Sequence, residues 1–183
     1  CNVGIGYNTL NKNTTGSFNV AVGYESLYCN TTGQYNVAMG FRAALSNTTG
    51  TRNVAIGFCA LRDNTIGQCN IAVGMAALML QTAGHTNIAI GKSALQNNLT
   101  GGQNVAIGER SLEDNQVCFN IGVGFLTLAQ NTTGYSNVAI GQRAMSDNLT
   151  GRNNVAVGYC ALGRNISGSC NVAMGFAALL LNT

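Results

Sequence analysis

The chain has 183 residues, no Pro, no Trp, 24 Gly and only 8% charged residues, against roughly 25% in ordinary soluble domains. A net charge of +3 with no Lys/Arg cluster argues against nucleic acid or an acidic membrane as partner. The longest apolar runs, from Met75 and from Phe176, fall far short of the roughly 18 residues of a membrane-spanning helix.

From the N-terminus onward, a phrase of the type Asn-Val-Ala-Ile-Gly recurs. It begins at Asn2, Asn19, Asn36, Asn53, Asn70, Asn87, Asn104, Asn120, Asn137, Asn154 and Asn171. The spacing is 17 residues, except for 16 between Asn104 and Asn120, where the turn Gly is missing. Such a period marks a stacked repeat architecture. The chain opens and closes within a repeat and shows no secretory signal, so it reads as a segment of a longer array.

Each repeat is numbered here from its Asn. Position 2 is Val or Ile, position 4 is Ile, Val or Met, position 3 is Ala or Gly, and position 5 is Gly. Alternation of large and small residues predicts a strand at positions 2–4. A second short segment is expected at positions 6–9. Position 6 is aromatic in seven repeats (Tyr7, Tyr24, Phe41, Phe58, Phe125, Tyr159, Phe176), and position 9 is usually Leu. Positions 12–15, typically Asn-Thr-Thr-Gly, predict a turn.

Seventeen residues cannot bury a core alone, but stacked turns cover one another. The expected fold is therefore all-β: a parallel β-solenoid of about eleven turns spaced about 4.8 Å apart, roughly 50 Å long. Its core is expected at positions 2, 4 and 9, with the Asn residues at 1 and 12 stacked as amide ladders. An obligatory Gly in every repeat, beside β-branched residues, argues against a helical repeat.

At Asn19–Asn36, "NVAVGYESLYCNTTGQYN", the chain resembles the head repeats of YadA-like trimeric autotransporter adhesins. It resembles still more the longer NTAIG…AL…NTTG arrays of surface and tail-fibre proteins. The resemblance covers all eleven repeats. It implies a left-handed β-roll, usually trimeric, displayed on a cell or virion surface and without catalysis. The repeat is longer than the common adhesin head repeat, and seven cysteines depart from that pattern.

Position 3 is never polar, whereas a solvated strand face normally is. The stripe Gly4, Ala21, Ala38, Ala55, Ala72, Ala89, Ala106, Gly122, Ala139, Ala156 and Ala173 is therefore a candidate chain–chain interface. The alternative is that it faces the interior of its own narrow turn.

A longer period of six turns, or 101 residues from Asn53 to Asn154, overlies the short one, with a second unit starting near residue 104. It carries two marks. The apolar pairs Met79–Leu80 and Leu180–Leu181 are candidate lateral contacts, or a locally thicker core. Cys59 with Cys69, and Cys160 with Cys170, are candidate disulfides, which would fit an extracellular setting. Positions 7 and 17 lie at opposite ends of the strand segment, so a bridge within one turn needs a compact turn; a bridge between chains does not. No CxxC spacing points to zinc.

N-x-S/T sequons at Asn13, Asn30, Asn47, Asn98, Asn131, Asn148 and Asn165 are candidate glycosylation sites, unless the Asn serves the turn or points inward. The one His, His85, has no repeated carboxylate near it, so no acid/base pair is expected. No cofactor or metal is expected.

The functional expectation is a non-catalytic, self-assembling extracellular fibre or adhesin segment, present as a trimer or fibril. The alternative is a carbohydrate-binding surface module. A host surface or glycan is a further candidate partner.

Overall fold

The computed structural model describes residues 1–182. Eleven three-residue strands stack in a single parallel sheet, in chain order. They are β1 (Val3–Ile5), β2 (Val20–Val22), β3 (Val37–Met39), β4 (Val54–Ile56), β5 (Ile71–Val73), β6 (Ile88–Ile90), β7 (Val105–Ile107), β8 (Ile121–Val123), β9 (Val138–Ile140), β10 (Val155–Val157) and β11 (Val172–Met174). Register follows the repeat, with Val54 beside Ile71, Ala55 beside Ala72 and Ile56 beside Val73. The 16-residue turn keeps register, because Val105 still pairs with Ile121. The fold is thus the expected parallel β-solenoid.

Turn-to-turn hydrogen bonds continue around the whole coil. In the fourth turn the Val54 N–H donates to Asn70 O at 2.8 Å, Leu61 to Ala77 O at 2.9 Å, Asp63 to Met79 O at 3.0 Å and Thr65 to Thr82 O at 2.9 Å. Three others run the opposite way, from Gly57 to Met39 O, from Cys59 to Phe41 O and from Cys69 to Thr51 O. Backbone groups are therefore satisfied by the next turn even where no strand forms.

Only one strand forms per turn. The expected second segment at positions 6–9 is a run of turns, because positions 7 and 9 adopt left-handed geometry, as with Cys59 (φ 53) and Leu61 (φ 52). Position 17 does the same, as with Cys69 (φ 57). A left-handed Leu costs on the order of 1 kcal/mol. Burial compensates, since Leu27, Leu61, Leu78 and Leu95 are all fully buried.

The expected core is corrected at positions 2 and 4. Both point outward, while position 3 points inward with positions 8 and 9. Ala55, Ala60 and Leu61 are fully buried, whereas Ile56 is 38% exposed. The coil is narrow, with a single sheet facing a run of turns, so only small groups fit between the sheet and the Leu column.

Gly at position 5 is a backbone requirement. Gly57 has φ +134, and a Cβ there would stand 2.6 Å from Gly74 O.

Candidate assembly face

Inside the coil, the two amide ladders form as expected. At position 1 each Asn Oδ1 accepts the backbone N–H of the next repeat's Asn, as in Asn53 N–H to Asn36 Oδ1 at 3.0 Å. Its Nδ2 closes its own turn by donating to the position-15 carbonyl, as in Asn53 to Gly67 O at 2.8 Å. At position 12 the side chains bond directly, with Asn47 Nδ2 donating to Asn30 Oδ1 at 2.8 Å.

This ladder excludes the proposed glycans. Asn30, Asn47, Asn98, Asn131, Asn148 and Asn165 are at most 1% exposed. Asn13, in the first turn, is half-buried and engaged at both ends of its amide. The sequon pattern is therefore turn and core chemistry.

The position-3 stripe is likewise corrected as an interface. From Ala21 to Ala173 it is buried within its own coil, and only Gly4, in the end turn, is exposed. The signal that could have placed it lies in the sequence. Gly occurs at position 3 in two repeats, and these are the two with Thr at position 8, namely Gly4 with Thr9 and Gly122 with Thr127.

Within the chain, the disulfide expectation fails. Cys59, Cys69, Cys160 and Cys170 are all free thiols, as are Cys1, Cys29 and Cys118. Positions 7 and 17 stay at opposite ends of the strand segment, and each bonds to the neighbouring turn through its own backbone.

Met79, Leu80 and Leu180 are half-buried and Leu181 is exposed. None joins the Ala/Leu core. Leu180 closes one end of an open trough of about 700 Å³. The trough exists because position 10 is small in three successive turns, at Ala129, Ser146 and Gly163, while Glu113 stands before them. In the fourth turn the same position holds Arg62, hydrogen-bonded to both Asp63 oxygens. That carboxylate holds the guanidinium pKa above its ordinary value.

What the structure brings together is the outward side of the sheet. Positions 2 and 4 carry only Val, Ile and Met over eleven strands. Many are widely exposed, including Met39, Ile56, Ile71, Ile90, Ile107, Ile121 and Ile140. Position 6 borders this face at the strand exits. Its rings stack along the axis, from Tyr7 through Tyr24 and Phe41 to Phe58, with centroids 5.2, 5.3 and 5.0 Å apart. Tyr159 and Phe176 stack in the same way at 5.2 Å. Between the two columns stand Lys92 and Glu109, paired at 3.2 Å.

Parallel sheets are ordinarily covered on both faces, and a continuous exposed apolar surface of this kind marks an interaction site. Among the described residues, no three His, Cys, Asp or Glu side chains are grouped to hold a metal. Comparison with protein-family models, with curated proteins and with solved structures gives no match.

Proposed function

We propose that the chain is a structural, non-catalytic, self-associating segment of an extracellular or surface fibre or adhesin. The observation that carries this reading is the outward sheet face. Positions 2 and 4 are apolar on every strand, over the full length of the coil, and no element among the described residues covers them. A second copy carries the same repeat along the same axis, so it matches this face turn by turn. The surface location draws support from the resemblance of the repeats to surface and tail-fibre arrays.

The carbohydrate reading has less support. Sugars stack on ring faces, and the position-6 rings turn their faces to one another at interplanar angles of 17°, 11° and 8°.

The test replaces Val54, Ile71 and Ile88 together with Lys. These side chains project from the sheet, so the circular dichroism of the wild type should persist. Sedimentation velocity should show the wild type as an oligomer and the triple variant as a monomer. A wild type that sediments as a monomer at high micromolar concentration would sink the proposal.

A further inference from the structure

Among all outward positions 2, 4 and 6, only two residues are charged, Lys92 and Glu109. They sit in consecutive turns, at the exits of β6 and β7, in the middle of a face that is otherwise uncharged and, apart from Gln142, apolar or aromatic. Their side chains are 53% and 44% exposed, so each keeps part of its charge free for a further partner. Charges inside an apolar interface must be paired when water leaves, and charge placement commonly fixes register and orientation.

Resting on the self-association proposed above, we infer that the partner is a second copy of this chain laid antiparallel on the same face. The two-fold axis runs parallel to the strands, between β6 and β7. This operation sets each outward position against the same position of the partner and reverses the order of turns. β6 then faces the partner's β7, and Lys92 meets the partner's Glu109 while Glu109 meets the partner's Lys92. With the pair inside each chain, the four side chains form a closed ring of alternating sign. The interface is isologous and closes at two copies.

Other arrangements serve these charges worse. Parallel rods related by a two-fold along their length set position 6 against position 2, so Lys92 lies on the partner's Ile88. A three-fold about the same direction places Lys92 level with Lys92, and Glu109 level with Glu109. Any other antiparallel register leaves Lys92 against itself or against an uncharged position-6 residue.

The remaining side chains agree with the β6–β7 centre. Ile90 faces Ile107, Val73 faces Val123 and Ile56 faces Ile140. The two Met residues of position 4 each meet a short Val, Met39 against Val157 and Met174 against Val22, which keeps the interface even in thickness. The aromatic columns also meet, Tyr24 against Phe176 and Phe41 against Tyr159.

Orientation is read by pulsed electron–electron spin resonance on the whole chain. A keto amino acid replaces Thr32, which is exposed in the second turn, well away from the face, and carries the nitroxide without touching the seven thiols. In the antiparallel pair the second turn lies level with the partner's eleventh, so the labels are nine turns apart, about 43 Å along the axis at the strand spacing. In any parallel assembly they lie level and give a much shorter distance.

Charge variants supply the second readout. Lys92→Glu should weaken association at least about tenfold, and the double swap K92E/E109K should return it to within about threefold. A long label distance in a species of dimer mass, with rescue by the swap, supports the inference. A short distance, a trimer mass or an indifferent K92E overturns it and leaves self-association standing. A monomeric wild type overturns both.

Discussion

Gly122 lies directly across the coil from Thr127. A Cβ on Gly122 would stand 2.8 Å from the Thr127 hydroxyl oxygen and 2.6 Å from that of Ser111, and those two hydroxyls are themselves hydrogen-bonded at 2.7 Å. Where position 8 grows from Ala to Thr, position 3 shrinks from Ala to Gly. Gly122→Ala should therefore overpack the eighth turn, at a cost of about 1–3 kcal/mol. Adding Thr127→Ala restores the Ala/Ala pair found in most turns and should recover at least about half of that loss. A double-mutant cycle on thermal midpoints measures the coupling; additive single effects would contradict the facing pair.

The position-12 ladder breaks at Gln81. Its Nε2 donates to Gly84 O at 3.0 Å and its Oε1 accepts from Asn87 at 2.7 Å. Asn64 Oδ1 is left buried without a partner. Gln81→Asn puts the standard amide back and should let position 81 donate to Asn64, as Asn64 donates to Asn47 at 2.9 Å. The gain should be about 1 kcal/mol, seen as a rise of roughly 2–4 °C in thermal midpoint. An unchanged or lower midpoint counts against the ladder as a source of stability. Asn98 Oδ1 is orphaned in the same way, because Asn115, in the 16-residue turn, donates to Val117 O at 2.7 Å instead.

Period, strand position and amide ladders were legible because each depends on one residue type recurring at one place. Asn53 and Asn47 look like ladder residues in the sequence and are. Which side of the strand faces inward was not legible from alternation. In a wide sandwich the Val and Ile would be inside, and only the narrowness of this coil reverses that choice. The reversal moves the interface from Ala55 to Val54 and Ile56. The left-handed turns at Leu61 and Leu78 were also hidden, since Leu is no marker for positive φ. They arise from the stacking of neighbouring turns, which local propensity does not register.

A lysine at position 3 tests the reversal. Ala55 is fully buried against the Leu column, so Ala55→Lys forces an unpaired ammonium into the core at a cost of several kcal/mol. The β-sheet circular dichroism should be lost or its melting temperature should fall steeply. A folded Ala55→Lys rod that merely dissociates would return position 3 to the surface.

Glycan attachment distinguishes turn chemistry from modification. Asn47 is 1% exposed and donates to both Asn30 Oδ1 and Gly50 O. Folded protein secreted from a eukaryotic host should give an intact mass equal to the bare polypeptide at Asn30, Asn47, Asn98, Asn131, Asn148 and Asn165. Removing the amide with Asn47→Ala should destabilise the rod by about 1–3 kcal/mol, because it strands buried polar partners on either side. A hexose-bearing mass at any of these six sites in the folded fraction would refute the buried ladder.

Two glycines separate backbone demand from mere space. Gly57 combines φ +134 with a Cβ path that ends 2.6 Å from the backbone oxygen of Gly74, and neither can relax without moving the next turn. Gly57→Ala should cost roughly 3 kcal/mol or more, from backbone strain and steric overlap together. Gly163 has no positive φ, and an added methyl would meet the Leu180 side chain at 2.9 Å and the Cys160 carbonyl oxygen at 3.1 Å, at a position where other turns carry a Cβ, as at Arg62, Ala129 and Ser146. The Leu180 side chain borders the open trough and can swing aside, while the lost freedom of the unfolded chain favours Ala by about 0.4–1 kcal/mol. Gly163→Ala should therefore change stability by less than about 1 kcal/mol. Urea titrations of the two variants give the comparison. Equal losses would mean that the position-5 Gly is needed for close approach of turns in general and not for its own backbone geometry.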